Sequence, residues 1–353
     1  MFEKNLKYYR LKKNMTKKKL ADACGVTPMA ISNYENGKRR PDMATIKKMA
    51  EALDVKVVDF LAARNTDITF KHGEFRKQST LTKGEQEYVR EYVEEYFGRF
   101  FDAVDFLGGD PLPAPLSIGS ITMTGNVQAD ANKLRKELGF SDSGPIGDIV
   151  GILENKGVLV LEMEIDNDKF SGMSGQVNRY PYVVINETMR PERKRTTIIH
   201  ELAHLLFDWN TIPAGLTEEK YATIVAGAVL IPDKDIIREL GQKRTAITKD
   251  MILTCEEYGI STYLLVKRAS QAGIISPNLE KNFYIKANKV NWKKNEPNMV
   301  EHYETPKLFE QLVYRAINEE GISIQRGAEL LHKTYEEVQG FCGLMGDSNA
   351  GTH

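Results

Sequence analysis

The segment Arg195–Trp209 reads RTTIIHELAHLLFDW and sets two imidazoles, His200 and His204, four residues apart. On an α-helix that spacing puts them on one face, separated along the axis by about 6 Å. Two neutral imidazoles so placed can share one zinc ion at about 2.0–2.1 Å each. Glu201 follows the first of them and faces the same cleft, where it can take a proton from an attacking water and later pass it to a leaving amine. Ile198, Ile199, Leu202, Leu205, Leu206 and Phe207 make the rest of the segment apolar. The helix is therefore expected to be buried, and three polar side chains in it need a chemical reason. A catalytic zinc takes a third protein ligand. The next predicted helix starts at Thr217 and stops at Pro232, and its small residues let it pack closely against the first. Glu218, Glu219 and Asp208 are the candidates for the third position.

Upstream of this segment, Ala129 to Leu138 and Ile146 to Lys156 read as helices closed by Gly139 and Gly157. Val158–Met163 and Tyr182–Asn186 read as strands, and Ser171–Gly175 as a flexible stretch. The segments VVINETMRPERKRTTIIHELAH (183–204) and EEKYATIVAGAVLIP (218–232) resemble the ImmA/IrrE metallopeptidase family, the M78 type. The likeness extends over residues 118–235. It implies a zincin-like α+β domain with zinc as cofactor, Glu219 as third ligand beside His200 and His204, and Glu201 as the proton-transfer group. Aligned on Pro232, Ala222 takes the family's small position and Tyr221 a position often held by Phe. Thr223 stands where the family has Asn, and Asp208 is left as a helix-end residue. An extended substrate is expected to lie along the Tyr182–Asn186 strand by strand addition.

A second decisive stretch is TKKKLADACGVTPMAISNYENGKRRPDMATIKKMAEALDV, residues 16–55. Thr16 caps a short helix that runs to the Gly25 turn, and Thr27 caps another that stops at Asn36-Gly37. Helices over 3–13 and from Pro41-Asp42 flank this pair, and a fifth, holding Val58 and Leu61, begins near Lys56. Two short helices joined through a glycine turn make a helix-turn-helix. Residues 4–62 resemble the lambda-repressor-like (XRE/Cro) family. That resemblance implies that Thr27, Met29, Ser32 and Asn33 face base edges, while Lys17, Lys38, Arg39 and Arg40 meet phosphates or flanking bases. The partner is then a double-stranded DNA operator, and two-fold operators call for a homodimer.

Charge distribution agrees with this division. Residues 1–64 hold fifteen Lys or Arg against seven Asp or Glu, an excess of eight, whereas the whole chain is at −1. Only the first domain is basic enough to seek a polyanion. The 353 residues, 41% hydrophobic and 27% charged, call for several domains. Three distant cysteines, with no membrane-spanning run or secretory leader, point to reduced thiols in the cytoplasm.

The expected architecture is multidomain and mostly helical outside the peptidase part. It comprises an all-α helix-turn-helix domain at 1–65, a helical connector at 66–117 with a charged helix at Lys83–Phe101, the metallopeptidase domain at 118–275, and a mainly helical region at 276–353. In the last region Asn282–Ile285 reads as a strand, Pro306–Asn318 as a helix, and Ile322–Val338 as a second helix-turn-helix rhythm without the basic surplus. Two functions are open. One is a regulator whose zinc-dependent endopeptidase cleaves a repressor, another partner protein or the chain itself. The other is a non-catalytic repressor or antitoxin whose peptidase-like domain binds a toxin or senses a signal. A digestive protease does not fit a DNA-binding domain.

Overall fold

Local rules in the first 61 residues produce four α-helices and a closing 3-10 turn: α1 (Phe2–Lys12), α2 (Lys17–Cys24), α3 (Pro28–Glu35), α4 (Met43–Leu53) and Val57–Leu61. The computed structural model describes residues 1–62, 64–65, 67–72, 81–167, 170–292, 296–297 and 304–343. Thr16, Thr27 and Asp42 each accept a backbone N–H at their helix N-termini, as their side chains favour. Gly25 supplies the left-handed turn at φ +70° that joins α2 to α3. Leu6, Leu20, Ile31, Met49, Leu53 and Phe60 form the core. The buried Arg10 guanidinium pairs with Glu35 of α3 and donates to the Met15 carbonyl. The fifth element begins where expected, with Lys56 at its N-cap, and holds Val58 and Leu61. It is 3-10, so its period of three buries Phe60 and leaves Val58 and Leu61 about 60% exposed.

The chain divides into two compact units, Met1–Pro111 with Leu308–His353, and Leu112–Lys307. In the first unit the connector helix α5 runs Lys83–Leu107, longer than the expected Lys83–Phe101, and starts in a Thr82/Glu85 capping box. One end meets α1 through the Lys7–Glu87 and Lys7–Glu91 ion pairs and the Tyr8–Tyr92 ring contact. Its other end meets α14 (Leu308–Asn318) and α15 (Ile324–Leu331). There Phe309 packs on Tyr96 and Phe100, and Arg99 reaches the Leu330 carbonyl. The last helix is α16 (Tyr335–Cys342). The pieces expected at 66–117 and 276–353 thus group differently: α5 and α14–α16 belong with the N-terminal helices.

The second unit contains α6 (Val127–Leu138), α7 (Ile149–Glu154), the strands β2 (Leu159–Met163), β3 (Gly172–Val177) and β4 (Tyr180–Asn186), then α8 (Pro191–Leu206) and α9 (Glu218–Leu230). α10 (Asp233–Leu240), α11 (Asp250–Tyr258), α12 (Thr262–Gln271) and α13 (Pro277–Lys289) complete it; a short strand, β1 (Phe70–His72), belongs to the first unit. Within the unit β4 pairs parallel with β2 and antiparallel with β3.

Two expectations fail at β3 and β4. Ser171–Gly175, expected to be flexible, lies mostly in β3, because pairing with β4 fixes a stretch whose small residues carry no strand signal of their own. Tyr182–Asn186 cannot receive a substrate by strand addition, since β4 is flanked on both sides and all seven of its residues are buried. Gly172 has a specific steric role: a Cβ there would stand 2.6 Å from the Val184 carbonyl oxygen and 2.8 Å from the Thr197 methyl of α8. A further correction concerns Asn282–Ile285, which is helical within α13. Ser276 caps that helix, Pro277 opens it, and Phe283 and Ala287 are buried while Ile285 between them is exposed, as a helix and not a strand places them. Among the described residues no helix is long and apolar enough to cross a membrane.

Candidate functional site

α8 starts at Pro191, whose fixed φ suits a first helical turn, and its last half carries His200 and His204. Their Nε2 atoms lie 3.2 Å apart. Glu219, in the first turn of α9, brings Oε1 to 3.1 Å from His200 Nε2 and Oε2 to 3.8 Å from His204 Nε2. Ligand atoms from the three residues all lie within 4.8 Å of one another, a grouping that could hold a metal ion.

The outer nitrogen of each ring has its own partner. Glu218 Oε1 lies 2.8 Å from His204 Nδ1 and can accept from an Nδ1–H. Thr223 Oγ1 donates to the Glu219 carbonyl at 2.9 Å and lies 3.3 Å from His200 Nδ1. With its one hydrogen so committed, the hydroxyl accepts from an Nδ1–H. Both rings turn Nε2 inward, toward each other and toward the Glu219 carboxylate. Thr223, which stands where the resemblance calls for Asn, keeps the hydrogen bond that orients His200. Of the adjacent glutamates, Glu219 faces the Nε2 atoms and Glu218 faces the outer side of His204.

Glu201 is 8% exposed, and its Oε2 accepts a 2.7 Å hydrogen bond from the Ser174 hydroxyl on β3. The start of α9 is held from beneath. Tyr221 donates at 2.7 Å to Asp130, a fully buried carboxylate on α6 that also accepts from Thr124 and Gly125. Burial first, and then Asp130, push the Tyr221 phenol above its ordinary value, so it stays protonated as a donor. Asp208 points elsewhere, accepting from the backbone N–H groups of Met123 and Asn210 beyond the end of α8. Desolvation there is outweighed by these donors, and its carboxyl lies below the usual range.

The sequence points to His200, Glu201, His204 and Glu219, with Glu218 as a rival ligand, and the structure brings His200, His204 and Glu219 together. Sequence reasoning missed Ser174, hidden in a stretch with no strand signal, and Asp130, more than sixty residues away in sequence. The orienting use of Thr223 was also missed, although its place four residues after Glu219 is one helical turn on and was readable.

In the first unit, Met29, Ser32 and Asn33 share one face of α3, with Thr27 at its N-cap. Met29 is 68% exposed. Lys17 sits beside this face, its ammonium 3.3 Å from Ser32 Oγ and 3.4 Å from Glu35. Lys38, Arg39 and Arg40 are exposed in the loop after α3.

Comparison with known proteins places two modules in the chain. Residues 6–60 match a helix-turn-helix family model, and residues 153–270 match the IrrE N-terminal-like domain model of the M78 peptidases. The chain is 35% identical over 71 residues to the uncharacterized HTH-type transcriptional regulator YqaE of Bacillus subtilis strain 168. It is 38% identical over 61 residues to YonR, an SPbeta prophage-derived uncharacterized HTH-type transcriptional regulator of the same organism. These stretches are 20% and 17% of this chain, and they span 61% and 56% of the relatives' lengths. No solved structure matches the chain.

Proposed function

We propose that this chain, which joins a helix-turn-helix domain of the XRE type to an IrrE-like M78 domain, is a DNA-binding transcriptional regulator whose second domain is a zinc-dependent endopeptidase. The observation that carries this reading is that the Nε2 atoms of His200 and His204 and the Glu219 carboxylate come within 4.8 Å of one another. Such a set offers an ion three ligand atoms from three side chains. It also fits zinc in size: two bonds of about 2.0–2.1 Å at a tetrahedral angle separate their nitrogens by about 3.3 Å, against 3.2 Å here. Two imidazoles and one carboxylate are a ligand set of catalytic rather than structural zinc sites. Zinc bound there would supply a Lewis acid for a peptide carbonyl and for water.

The remaining chemistry falls to residues of the chain. Glu218 and Thr223 hold the two imidazoles in the tautomer that frees Nε2. Glu201 takes a proton from the attacking water and delivers it to the departing amine. The Ser174 hydroxyl, bound to Glu201 Oε2, fixes the carboxylate's orientation through both transfers. On α3, Thr27, Met29, Ser32 and Asn33 read base edges, while Lys17, Lys38, Arg39 and Arg40 grip phosphates across the two half-sites of a homodimer. The substrate is a repressor or other partner protein, since a DNA-bound regulator meets such proteins at its operator.

The test is elemental analysis of the purified protein, with His204→Ala and Glu219→Ala alongside. About one zinc per chain, lost in both variants, is expected. Glu201→Gln should keep zinc and DNA binding and lose cleavage of a co-expressed partner. Wild-type protein that holds no zinc after reconstitution would sink the peptidase reading and leave a DNA-binding regulator.

A further inference from the structure

The last turn of α8 leaves four carbonyls in need of donors. Three of them are served by backbone: Ala203 by the Phe207 N–H, Leu205 by Gly119 and Leu206 by Ile121. The fourth, on His204, accepts from a side chain, the Trp209 indole Nε1–H at 3.1 Å. The same indole stacks on the His204 imidazole, with ring centroids 5.1 Å apart and planes 22° from parallel. Phe207 closes the other approach edge-on at 5.9 Å. To reach this position Trp209 adopts φ +52°, in the left-handed region. A bulky residue takes that conformation only where its surroundings enforce it. A backbone donor or a glycine would close the helix without such strain, so helix closure alone leaves the indole unexplained.

We infer that Trp209 is a positioning residue for the metal centre, clamping the His204 ring so that its Nε2 faces Glu219 and His200. Glu218 meets the ring in its plane at Nδ1, and His200 meets it edge-on at 4.7 Å. An indole laid along its face holds it against tilting. The backbone hydrogen bond holds the indole, and the stack holds the imidazole. A preset ring loses less freedom when an ion binds, and outer partners of metal-binding histidines typically contribute 10–100-fold in affinity. The inference rests on the proposed zinc reading of His200, His204 and Glu219.

It is tested on the full-length protein freed of metal, by competition for Zn2+ with a chromophoric chelator. Trp209→Ala should bind zinc about 10-fold or more weakly while its circular dichroism stays that of the wild type. Trp209→Phe, which keeps a stacking ring and loses the N–H, should fall between the two and stands in if the alanine variant does not fold. Trp292→Phe removes the chain's other tryptophan and should bind as the wild type does. In that variant the emission of Trp209 alone should change as zinc is added, along the same binding curve. Unaltered zinc affinity in a folded Trp209→Ala, or emission blind to saturating zinc, would overturn the inference and leave the zinc site standing. A wild type that competes for no zinc would bring down the site reading first, and this inference with it.

Discussion

The helix pair α2–α3 and the helix pair α15–α16 are cut to the same local pattern. Every one of these helices has eight residues, and a hydroxyl caps each: Thr16, Thr27, Ser323 and Thr334. A left-handed residue follows the first helix of each pair, Gly25 in one and His332 in the other. The outer faces differ. Lys38, Arg39 and Arg40 after α3 are exposed. In the C-terminal pair the basic side chains are turned to internal use: Arg326 pairs with Asp102 and Glu329, Lys333 pairs with Glu310, and the His332 ring lies against Glu95. A helix-turn-helix rhythm is thus a property of caps and turns. Reading DNA depends on where the cations point.

The largest effect that can break this comparison is on DNA binding. Replacing Lys38, Arg39 and Arg40 together by Ala should weaken binding and flatten the salt dependence of log K by about three, one for each lost phosphate contact. Arg326→Ala with Lys333→Ala should leave that slope alone. Equal slopes for the two variants, measured by fluorescence anisotropy across a salt series, would erase the distinction.

Next in size is the ion pair that ties the C-terminal pair to α5. Burial raises the Glu95 carboxyl, but Arg99 and His332 outweigh it and hold it well below the usual carboxylate range. Because the folded value is depressed, this stabilisation is complete above the unfolded carboxyl value of about 4.3 and is lost as pH falls below it. Glu95→Ala takes the carboxylate from a partly buried Arg99 and should cost about 2 kcal/mol in urea unfolding of the first unit. Glu95→Gln should blunt the acid sensitivity. Stability of the wild type that is flat from pH 6 to pH 3 contradicts this account.

The smallest effect concerns the shared pattern itself. Thr27→Ala and Thr334→Ala each remove one cap and should each cost about 1 kcal/mol. Only Thr27→Ala should also weaken operator binding. If the Thr334 variant did so too, the C-terminal pair would have a part in DNA recognition.

Much of this was legible because it is local. The caps at Thr16, Thr27 and Thr217, the turn at Gly25, and the i, i+4 pair His200/His204 follow from residues within one or two turns. Glu219 needed the family resemblance to be preferred over Glu218, and the structure separates them by which ring nitrogen each faces. What escaped depends on distant partners. β3 exists because β4 pairs with it, Ser174 matters because α8 packs above it, and Asp130 finds Tyr221 across 91 residues. Phe283 and Tyr284 favour strands on their own, and a capped helix overrode them. Trp209 escaped because nothing in a tryptophan announces a left-handed backbone.

The make-up of the first unit bears on how the chain is born. Its opening helices leave the ribosome first, yet Phe309, which covers Tyr96 and Phe100 of α5, emerges roughly two hundred residues later. At about 5–20 residues per second that is a wait of about ten to forty seconds. Throughout that interval the aromatic flank of α5 stands bare on a nascent chain while the whole second unit is still being made. A chain cut short before residue 308 would leave that flank uncovered, an apolar surface of the kind that invites aggregation and chaperone binding.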